Sequence, residues 1–294
     1  MSLSTGFIGL GAMGVGMARN LHKRGLLNCV WNRTPAKATA LAAELGVRAA
    51  ESIGELAASC DVAVVCVSAD DDVRQVTAAI ASRARTGSIV IDCSTVSADT
   101  ARAAAAELAK SQIEFLDAPV SGGVEGARNG TLAIMVGGDA KSFARAQPVL
   151  EAMGAAVAHF GPSGAGQAAK ATNQIMCAGV IQAVSEAMAF AKAEGLPLDK
   201  LIDTLGKGAG SSWYFVNRAP NMVRNAYPAG FRVRLHQKDL NICRDMAARF
   251  GVQLPVVEMT LHHYRRLIEQ GFGDEDISTL FRLKDAMFAK DPAA

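Results

Sequence analysis

Short apolar runs alternate with stretches of helical periodicity over the first 160 residues of the chain. Runs such as residues 62–67 are apolar throughout, which is typical of strands in a parallel sheet that helices cover on both faces. Between the runs lie segments such as residues 35–45, in which apolar residues recur at helical spacing. Strands that alternate with helices in this way predict βαβ units and a mainly parallel sheet.

The pattern defines a set of predicted elements in this part of the chain. The predicted strands are residues 6–10, 28–31, 62–67, 88–92, 114–116, 132–136 and 157–160. The predicted helices are residues 13–24, 35–45, 70–82, 99–110 and 140–153. This order predicts an α/β fold with a doubly wound parallel sheet of the Rossmann type.

A cluster of glycine and proline at residues 161–166 interrupts that rhythm. Helical periodicity then continues from residue 167 to residue 194, where Gly195 and Pro197 supply stop signals. No strand-like alternation recurs after it. We therefore predict two domains: a Rossmann-type domain over residues 1–162 and an all-α domain over residues 163–294. The second begins with a long interdomain helix.

Composition and charge argue against several classes of function. Lys and Arg number 30 and Asp and Glu 28, so the net charge is only +2 and no nucleic-acid partner is predicted. The most apolar long stretch, residues 171–193, contains Asn, Gln, Glu and Lys side chains, which argues against a membrane span. Six scattered cysteines without a CxxC pair favour reduced thiols and a cytoplasmic location.

No metal site is predicted. The five histidines show neither HExxH nor a metal-ligand spacing with cysteine. The acidic run at residues 70–72 is expected at a helix N-terminus, where negative charge is stabilising. His262 and His263 precede Tyr264 in a segment that we predict to be a solvated helix face.

A GxGxxG motif directly follows the first predicted strand and opens a helix. In that context the glycines permit a tight turn, a close approach of the backbone to a pyrophosphate and close packing of helix on strand. The pyrophosphate would then meet free N–H groups at the helix N-terminus. The motif predicts a dinucleotide site formed by Gly9, Leu10, Gly11, Ala12, Met13 and Gly14.

The end of the second strand predicts which dinucleotide binds. NAD sites place Asp or Glu about 20 residues after the glycines, where the carboxylate accepts from the ribose hydroxyl. Here Asn32 takes that position, Arg33 supplies a cation beside it and Thr34 adds a hydroxyl. A guanidinium binds a 2′-phosphate that a carboxylate would repel. We predict NADP, with NAD as the weaker alternative; the competing interpretation of Arg33 is a solvated surface arginine.

Three further segments lie at carboxyl ends of predicted strands, where ligands of open α/β sheets bind. Val67, Ser68 and Thr95 are expected to contact the ribose and nicotinamide, although Ser94 and Ser97 could instead be helix N-caps. The run Ser121-Gly122-Gly123 offers a hydroxyl and exposed N–H groups that suit a substrate carboxylate. An ordinary Ser-Gly-Gly turn explains that run equally well.

Four motifs in order along the chain resemble those of the β-hydroxyacid dehydrogenase family, which includes 3-hydroxyisobutyrate dehydrogenase and tartronate semialdehyde reductase. The motifs are residues 9–21, 117–123, 166–173 and 238–240. The resemblance covers essentially the whole chain. Residues 31–34 look most like the branch of NADP-dependent glyoxylate and succinic semialdehyde reductases.

The family resemblance assigns roles to residues of the second domain and its first helix. Lys170 and Asn173 are three residues apart, so they share one face of a helix near its N-terminus. The resemblance makes Lys170 the catalytic acid and base and Asn173 a substrate ligand, whereas a blindly chosen lysine there would be solvated. It also places Lys238 near nicotinamide and substrate, Asp239 as its orienting partner and Phe231 in the substrate pocket. The residue after Asn173, often a second asparagine in the family, is Gln174 here.

The sequence as a whole therefore predicts an oxidoreductase that transfers a hydride between NADP(H) and a small 3-hydroxy acid or its semialdehyde. Substrates of the glyoxylate, succinic semialdehyde, tartronate semialdehyde or 3-hydroxyisobutyrate type all fit. Two alternatives stay open: an imine reductase-like enzyme, and a catalytically silent NADP-binding sensor or scaffold. The small residues of the long helix permit close helix approach, so we expect a homodimer or homotetramer.

Overall fold

A computed structural model describes residues 3–289 of the chain. Residues 1, 2 and 290–294, which the predicted domains include, lie outside the described residues. The chain divides into two compact units, the first ending at Lys170 and the second beginning at Ala171. The division falls eight residues after the predicted boundary at residue 162, inside one continuous helix.

The first unit contains a nine-stranded sheet. Its strands are β1 Thr5–Ile8, β2 Leu27–Trp31, β3 Arg48–Ala49, β4 Val62–Val65, β5 Ile89–Asp92, β6 Glu114–Asp117, β7 Val120–Ser121, β8 Leu132–Gly138 and β9 Gly154–Gly161. The order is β3-β2-β1-β4-β5-β6-β8-β7, with β9 on β8. The pairs from β3 to β6 are parallel, and β8 pairs antiparallel with β6 and β7. This confirms the predicted Rossmann-type sheet.

Helices follow the strands in the first unit and form all of the second unit's long elements. The first seven are α1 Gly14–Lys23, α2 Pro35–Leu45, α3 Ile53–Ser59, α4 Asp70–Ala81, α5 Ala98–Ala109, α6 Gly123–Asn129 and α7 Ala140–Met153. The others are α8 Ala165–Ala193, α9 Leu198–Leu205, α10 Trp213–Val223, α11 Val233–Ala248, α12 Pro255–Glu269 and α13 Phe281–Asp285. The all-α character predicted for the C-terminal part is confirmed.

Each face of the sheet packs against a separate hydrophobic core. Successive side chains of a strand point to opposite faces. In β1, Phe7 belongs to one hydrophobic core and Ile8 to the other, and in β4 Val64 and Val65 divide in the same way. Burial on both faces explains why the central strands are largely apolar. Because these strands are parallel, their carboxyl ends lie at one edge of the sheet, where the glycine loop begins.

Short elements of the first unit are absent from the prediction. The helices α3 and α6 have seven residues each, and the strands β3 and β7 have two. Segments of this length are too short to show a period in the sequence, and tertiary packing supplies most of the stability of such helices. Ser121 therefore lies in a strand, and Gly122 is the N-cap of a helix, that were not predicted from the sequence.

The second unit packs its helices around a core of its own, and it corrects one prediction. The segment around His262 and His263 is not a solvated helix face, because Tyr264 is completely buried and His263 is half-buried. In α12 the residues Val257, Leu261 and Tyr264 recur at helical spacing and face the core. The adjacent pair of histidines obscured that period.

The helix α8 is the one helix among the described residues that is long and apolar enough to cross a membrane, with a mean hydropathy of 1.3 in its most apolar window. Half of that window is buried inside the fold. A core helix of a soluble protein shows the same combination, since an apolar helix in such a protein is covered by other elements.

Candidate active site

The glycine loop between β1 and α1 has a distinct role for each glycine. Gly9 has φ +99°, and a Cβ there would overlap the carbonyl oxygen of Cys66. A Cβ on Gly14 would overlap the carbonyl oxygen of Gly9, so helix and strand approach too closely for a side chain. A Cβ on Gly11 would meet nothing within 4 Å, and Gly11 and Ala12 are exposed. The loop therefore leaves open space at its middle glycine, which fits the pyrophosphate of a dinucleotide.

Asn32 at the end of β2 stabilises this loop. Its Oδ1 accepts from the backbone N–H of Leu10 at 2.8 Å, and its Nδ2 donates to the carbonyl oxygen of Thr34 at 3.1 Å. The side chain that takes the place of the usual acidic residue is thus bonded to the main chain on both sides. Its position holds the glycine loop against the second strand.

The neighbouring Arg33 extends into solvent, with a side chain that is 80% exposed. Its Nη1 lies 2.9 Å from Oδ1 of Asp72 in the first turn of α4. An exposed ion pair of this kind contributes little to stability. The guanidinium is accordingly accessible to a second anion. Thr34 is exposed and precedes α2 without a side-chain capping bond.

The loops after β4 and β5 are joined to each other. Ser94 Oγ accepts from the backbone N–H of Val67 at 2.9 Å, so Ser94 is not the helix cap that the sequence suggested. Ser97 is the N-cap of α5, and its Oγ accepts from the N–H of Thr100. Val67, Ser68 and Thr95 all lie in these two loops, at the strand ends where ligands of such sheets bind.

Asp70 holds the Ser97 end of the loop between β5 and α5 through hydrogen bonds. Its Oδ1 accepts from the N–H and the Oγ of Ser97 and from the Oγ of Thr100. Desolvation by burial opposes ionisation of Asp70, but the bonds from Thr100 and Ser97 outweigh it and lower the pKa of this carboxyl. The carboxylate is therefore stabilised by the hydroxyls and N–H group that surround it.

Asp117, the last residue of β6, anchors the start of α8. Its Oδ1 accepts from the N–H of Gly164 at 2.8 Å and its Oδ2 from the N–H of Gln167 at 2.9 Å. Burial raises the pKa of the Asp117 carboxyl, and these backbone donors offset part of the rise. The carboxylate satisfies N–H groups that a helix N-terminus otherwise leaves without partners.

Lys170 lies one turn further along α8 and is buried, with 6% of its surface exposed. A lysine in this state is rare in a folded protein unless its amine has a partner. The solvated lysine that the sequence allowed as an alternative is therefore wrong. Asn173 follows three residues later and is half-buried, so both side chains project from the same side of the helix.

The second unit holds a polar network built on α8 and α11. Gln174 Oε1 accepts from Nδ2 of Asn173 at 2.9 Å, and Gln174 Nε2 donates to Oδ2 of Asp239 at 2.7 Å. The other carboxylate oxygen of Asp239 lies 3.1 Å from Nζ of Lys238. Gln174 and Asp239 are buried, whereas Lys238 is about one-third exposed. The network links Asn173 to Lys238 through two buried side chains.

The remaining predicted site residues lie in two places. In the first unit, Gly122 and Gly123 both have positive φ, a conformation that favours glycine, and they join β7 to α6. In the second unit, Phe231 precedes α11; its N–H donates to Oδ2 of Asp276 and its ring lies 5.3 Å from that of His236. Among residues 3–289 no group of three or more His, Cys, Asp or Glu could hold a metal ion.

Sequence reasoning missed the long-range bonds by which buried side chains position this site. Gln167 hydrogen-bonds to the loop after β5, and Asp117 and Gln174 support the two ends of the Lys170–Asn173 segment. These four bonds join residues that are 50 to 73 positions apart in the chain. For the two glutamines, a polar residue within an apolar helical period was the available signal.

Two family models together match nearly the whole chain. The NAD binding domain of 6-phosphogluconate dehydrogenase matches residues 4–161. A model described as NAD-binding of NADP-dependent 3-hydroxyisobutyrate dehydrogenase matches residues 164–284.

Curated relatives match along nearly their full length. An uncharacterized oxidoreductase of Shewanella frigidimarina is 43% identical over 277 residues, which cover 93% of this chain and 95% of the relative. The NAD-dependent L-serine dehydrogenase of Pseudomonas aeruginosa is 35% identical, with 95% of this chain and 97% of the relative covered. Both relatives therefore match across both units of the fold.

A solved structure has the same fold throughout. The 3-hydroxyisobutyrate dehydrogenase of Mycobacterium tuberculosis, determined with L-serine, superposes with a TM-score of 0.88 and is 33% identical. The match covers 96% of this chain and 99% of that one. The likeness thus extends well beyond the dinucleotide-binding half.

Proposed function

This chain belongs to the β-hydroxyacid dehydrogenase family, and from that premise we propose that it transfers a hydride between NADP(H) and a small 3-hydroxy acid or its semialdehyde. The coarser function, an NAD(P)-dependent hydroxyacid dehydrogenase, follows from the family. The observation that carries the proposal is the burial of Lys170 on a helix whose first turn is fixed by Asp117.

Lys170 is the acid and base of the proposed reaction. When bound, the nicotinamide supplies or accepts the hydride. In reduction, the Lys170 ammonium donates a proton to the carbonyl oxygen of the semialdehyde. In oxidation, the neutral amine removes the proton of the substrate hydroxyl. A positioned group of this kind contributes about 10²–10⁴ in rate.

The substrate carboxylate needs donors, and two groups of residues are suited to it. Ser121 with the backbone N–H groups of Gly122 and Gly123 forms one group, and the amide of Asn173 the other. Lys238 adds positive potential that favours an anionic substrate, with Asp239 holding the ammonium. Phe231 supplies apolar surface for the carbon chain. These roles favour a short, singly charged acid.

The preference for NADP rests on Arg33. The end of β2 lacks the carboxylate that an NAD site usually carries, and the Arg33 guanidinium is held by a weak, exposed ion pair. A 2′-phosphate carries more charge than Asp72 and would attract the guanidinium in charge-assisted bonds. NAD is then the weaker cofactor.

A panel of substrates with both cofactors tests the function. The purified protein is assayed for NADPH and NADH oxidation with glyoxylate, succinic semialdehyde, tartronate semialdehyde and methylmalonate semialdehyde, and for reduction of NADP and NAD with 3-hydroxyisobutyrate and L-serine. We expect turnover of at least one pair, faster with NADP(H). A cyclic imine is the control for imine reduction. Cofactor binding without turnover of any compound would support a silent sensor and contradict the proposal.

Replacing Arg33 tests the cofactor preference separately. Arg33→Ala should weaken NADPH binding by roughly tenfold or more and leave NADH binding unchanged, because charge-assisted bonds to the 2′-phosphate are lost. Fluorescence titration of both cofactors measures this. Arg102→Ala is the matched control, since Arg102 also forms an exposed ion pair, with Asp99. Equal affinity of the variant and the wild type for NADPH would refute the role of Arg33.

Self-association and location complete the proposal. All but one of the exposed large apolar side chains among residues 3–289 lie in the second unit, including Phe190 and Phe288, whose rings pack edge to face at 6.3 Å. Exposed apolar surface of this kind marks association sites, which supports a homodimer or homotetramer. Light scattering that shows a monomer would contradict this. All six cysteines are in the thiol form, which suits the cytoplasm.

A further inference from the structure

We propose that Gln167 is a positioning residue that fixes the Thr95 loop (residues 93–97, between β5 and α5) against the first turn of the helix that carries Lys170. The inference deepens the proposed function and rests on it. In this role Gln167 sets the distance between the general acid and the cofactor-facing loop without touching the reacting atoms.

The side-chain amide of Gln167 forms two hydrogen bonds that enclose Thr95. Its Nε2 donates to the carbonyl oxygen of Ser94 at 2.8 Å, and its Oε1 accepts from the N–H of Val96 at 3.2 Å. Gln167 is 1% exposed, so both bonds are shielded from water. Hydrogen bonds in such surroundings are expensive to lose, because the buried partners are left unsatisfied.

The backbone of Gln167 is fixed independently. Its N–H donates to Oδ2 of Asp117 at the end of β6. One residue therefore connects the ends of two neighbouring strands, β5 through its side chain and β6 through its main chain. The start of α8 cannot shift along the sheet edge without breaking one of these bonds.

Helix geometry places Lys170 beside Gln167, so fixing Gln167 also fixes Lys170. Residues three apart on a helix lie on the same face, so the Lys170 side chain projects beside Gln167. The loop on the other side of the amide is held at its two ends, by the bond from Val67 N–H to Ser94 Oγ and by the bonds from Ser97 to Asp70. Gln167 holds the middle of the loop, where Thr95 lies.

The chemistry of the amide is specific to this place. The loop presents one acceptor and one donor, so it needs a side chain with one donor and one acceptor. Methionine has nearly the same length and provides neither strong bond. An ionised glutamate accepts from Val96 but cannot donate to Ser94, whereas a protonated glutamate can do both. The two substitutions therefore separate packing from hydrogen bonding.

Steady-state kinetics of Gln167→Met and Gln167→Glu test the proposal, using a substrate that the wild type turns over. Gln167→Met should lower kcat by roughly 10²-fold, the size of effect that a misplacement of about 1 Å produces, with little change in cofactor affinity. Gln182→Met is the matched control. Gln182 is also buried and hydrogen-bonded, to Thr260 and His263 in the second unit, so its loss costs stability without altering the Thr95 loop.

The pH profile provides a readout that a purely structural role would not change. Burial raises the pKa of a carboxyl, so at low pH Gln167→Glu carries the proton and keeps both bonds. The ratio of its kcat to that of the wild type should approach one at low pH and fall as pH rises.

Two outcomes overturn the inference. One is a Gln167→Met enzyme with the kcat of the wild type and a Tm loss equal to that of Gln182→Met, since the residue would then only stabilise the fold. The other is a Gln167→Glu ratio that does not vary with pH. Wild-type protein that turns over no compound of the panel would instead refute the proposed function itself.

Discussion

The two units of this protein position their candidate site residues by different means. The first unit uses main chain: a glycine loop, strand ends and a helix start, each held in place by buried side chains such as Asp117 and Gln167. The second unit uses side chains carried on helices, linked from Asn173 to Lys238 through Gln174 and Asp239. Under the proposed function, a cofactor site built from main chain tolerates little change in shape, whereas a substrate site built from side chains can change residue by residue.

The largest expected effect tests whether the chemistry belongs to the first unit. Lys170→Ala should reduce kcat by about 10²–10⁴, because the proton donor and acceptor is lost. Cofactor affinity, measured by fluorescence titration, should persist, since the glycine loop is untouched. Lys192→Ala is the control, because Lys192 lies on the same helix but is exposed and paired with Asp285. Turnover of Lys170→Ala near the wild-type rate would remove the mechanism.

Two glycine substitutions test whether the backbone of the glycine loop binds the pyrophosphate of the cofactor. Gly11→Ala should fold with an unchanged Tm, because its Cβ meets nothing within 4 Å, yet it should weaken cofactor binding by about tenfold or more by filling the space for the pyrophosphate. Gly14→Ala should lower the Tm by several degrees, since its Cβ would overlap the Gly9 carbonyl oxygen. Calorimetry and cofactor titration measure the two effects. Full cofactor affinity in Gly11→Ala would contradict the assignment of this loop.

Disrupting the side-chain network of the second unit should weaken substrate binding. Asp239→Asn removes the negative charge beside Lys238 and leaves one acceptor oxygen for both Lys238 and Gln174, so KM for the acid substrate should rise by roughly tenfold, equivalent to about 1.4 kcal/mol. Affinity for the cofactor's adenosine portion should not change. Asp245→Asn on the same helix is the control, because Asp245 is exposed. A lower kcat with an unchanged KM would mean that the network acts on chemistry instead.

The smallest expected effect concerns stability of the second unit in acid. Desolvation, with a further contribution from the positive charge of Lys284, lowers the pKa of His263 to about 4, from an ordinary value near 6.5. Between these two pH values His263 is protonated in the unfolded chain but neutral in the folded chain. The free energy of unfolding therefore falls as pH decreases from 6.5 to about 4. His263→Gln should lose a few degrees less Tm than the wild type between neutral pH and about pH 4.5.

The control for this titration is the adjacent His262→Gln, which replaces an exposed histidine on the same helix. It should retain the acid sensitivity of the wild type. The same dependence on pH in His263→Gln and in the wild type would show that acid acts on groups other than His263. Asp70 in the first unit is not one of them in this range. That carboxyl, with its lowered pKa, contributes stability that is lost only at still lower pH.

Local signals in the sequence predicted the elements better than the contacts between them. The helices at residues 35–45 and 140–153 were predicted to the residue, because Pro35 and Asp139 start them and glycines follow their ends. Strand ends were overestimated at residues 9–10 and 66–67, where the chain leaves the sheet while its residues stay apolar. An apolar pattern indicates that residues are at least partly buried. These residues stay partly or fully buried after the last hydrogen bond between the strands.

Long-range polar contacts could not be predicted from one sequence. The ion pair of Arg33 with Asp72 and the bonds of Gln167 join residues that are 39 to 73 positions apart, and no short motif encodes them. Gln174 was noticed as a departure from the family pattern, but its length mattered for a reason that appears only in three dimensions: it reaches Asp239. In the structure, Gln167 and Gln174 are recognised by their burial.

The peptide bond between Lys170 and Ala171 divides the two units within an unbroken helix. In the proposed function, the proton-transferring Lys170 and the glycine loop are encoded upstream of the join, and Asn173, Phe231 and Lys238 are encoded downstream. A chimera that crosses over at this bond, with the C-terminal part taken from a relative, would exchange substrate preference while keeping the reaction. Gene recombination could diversify this scaffold in the same modular way.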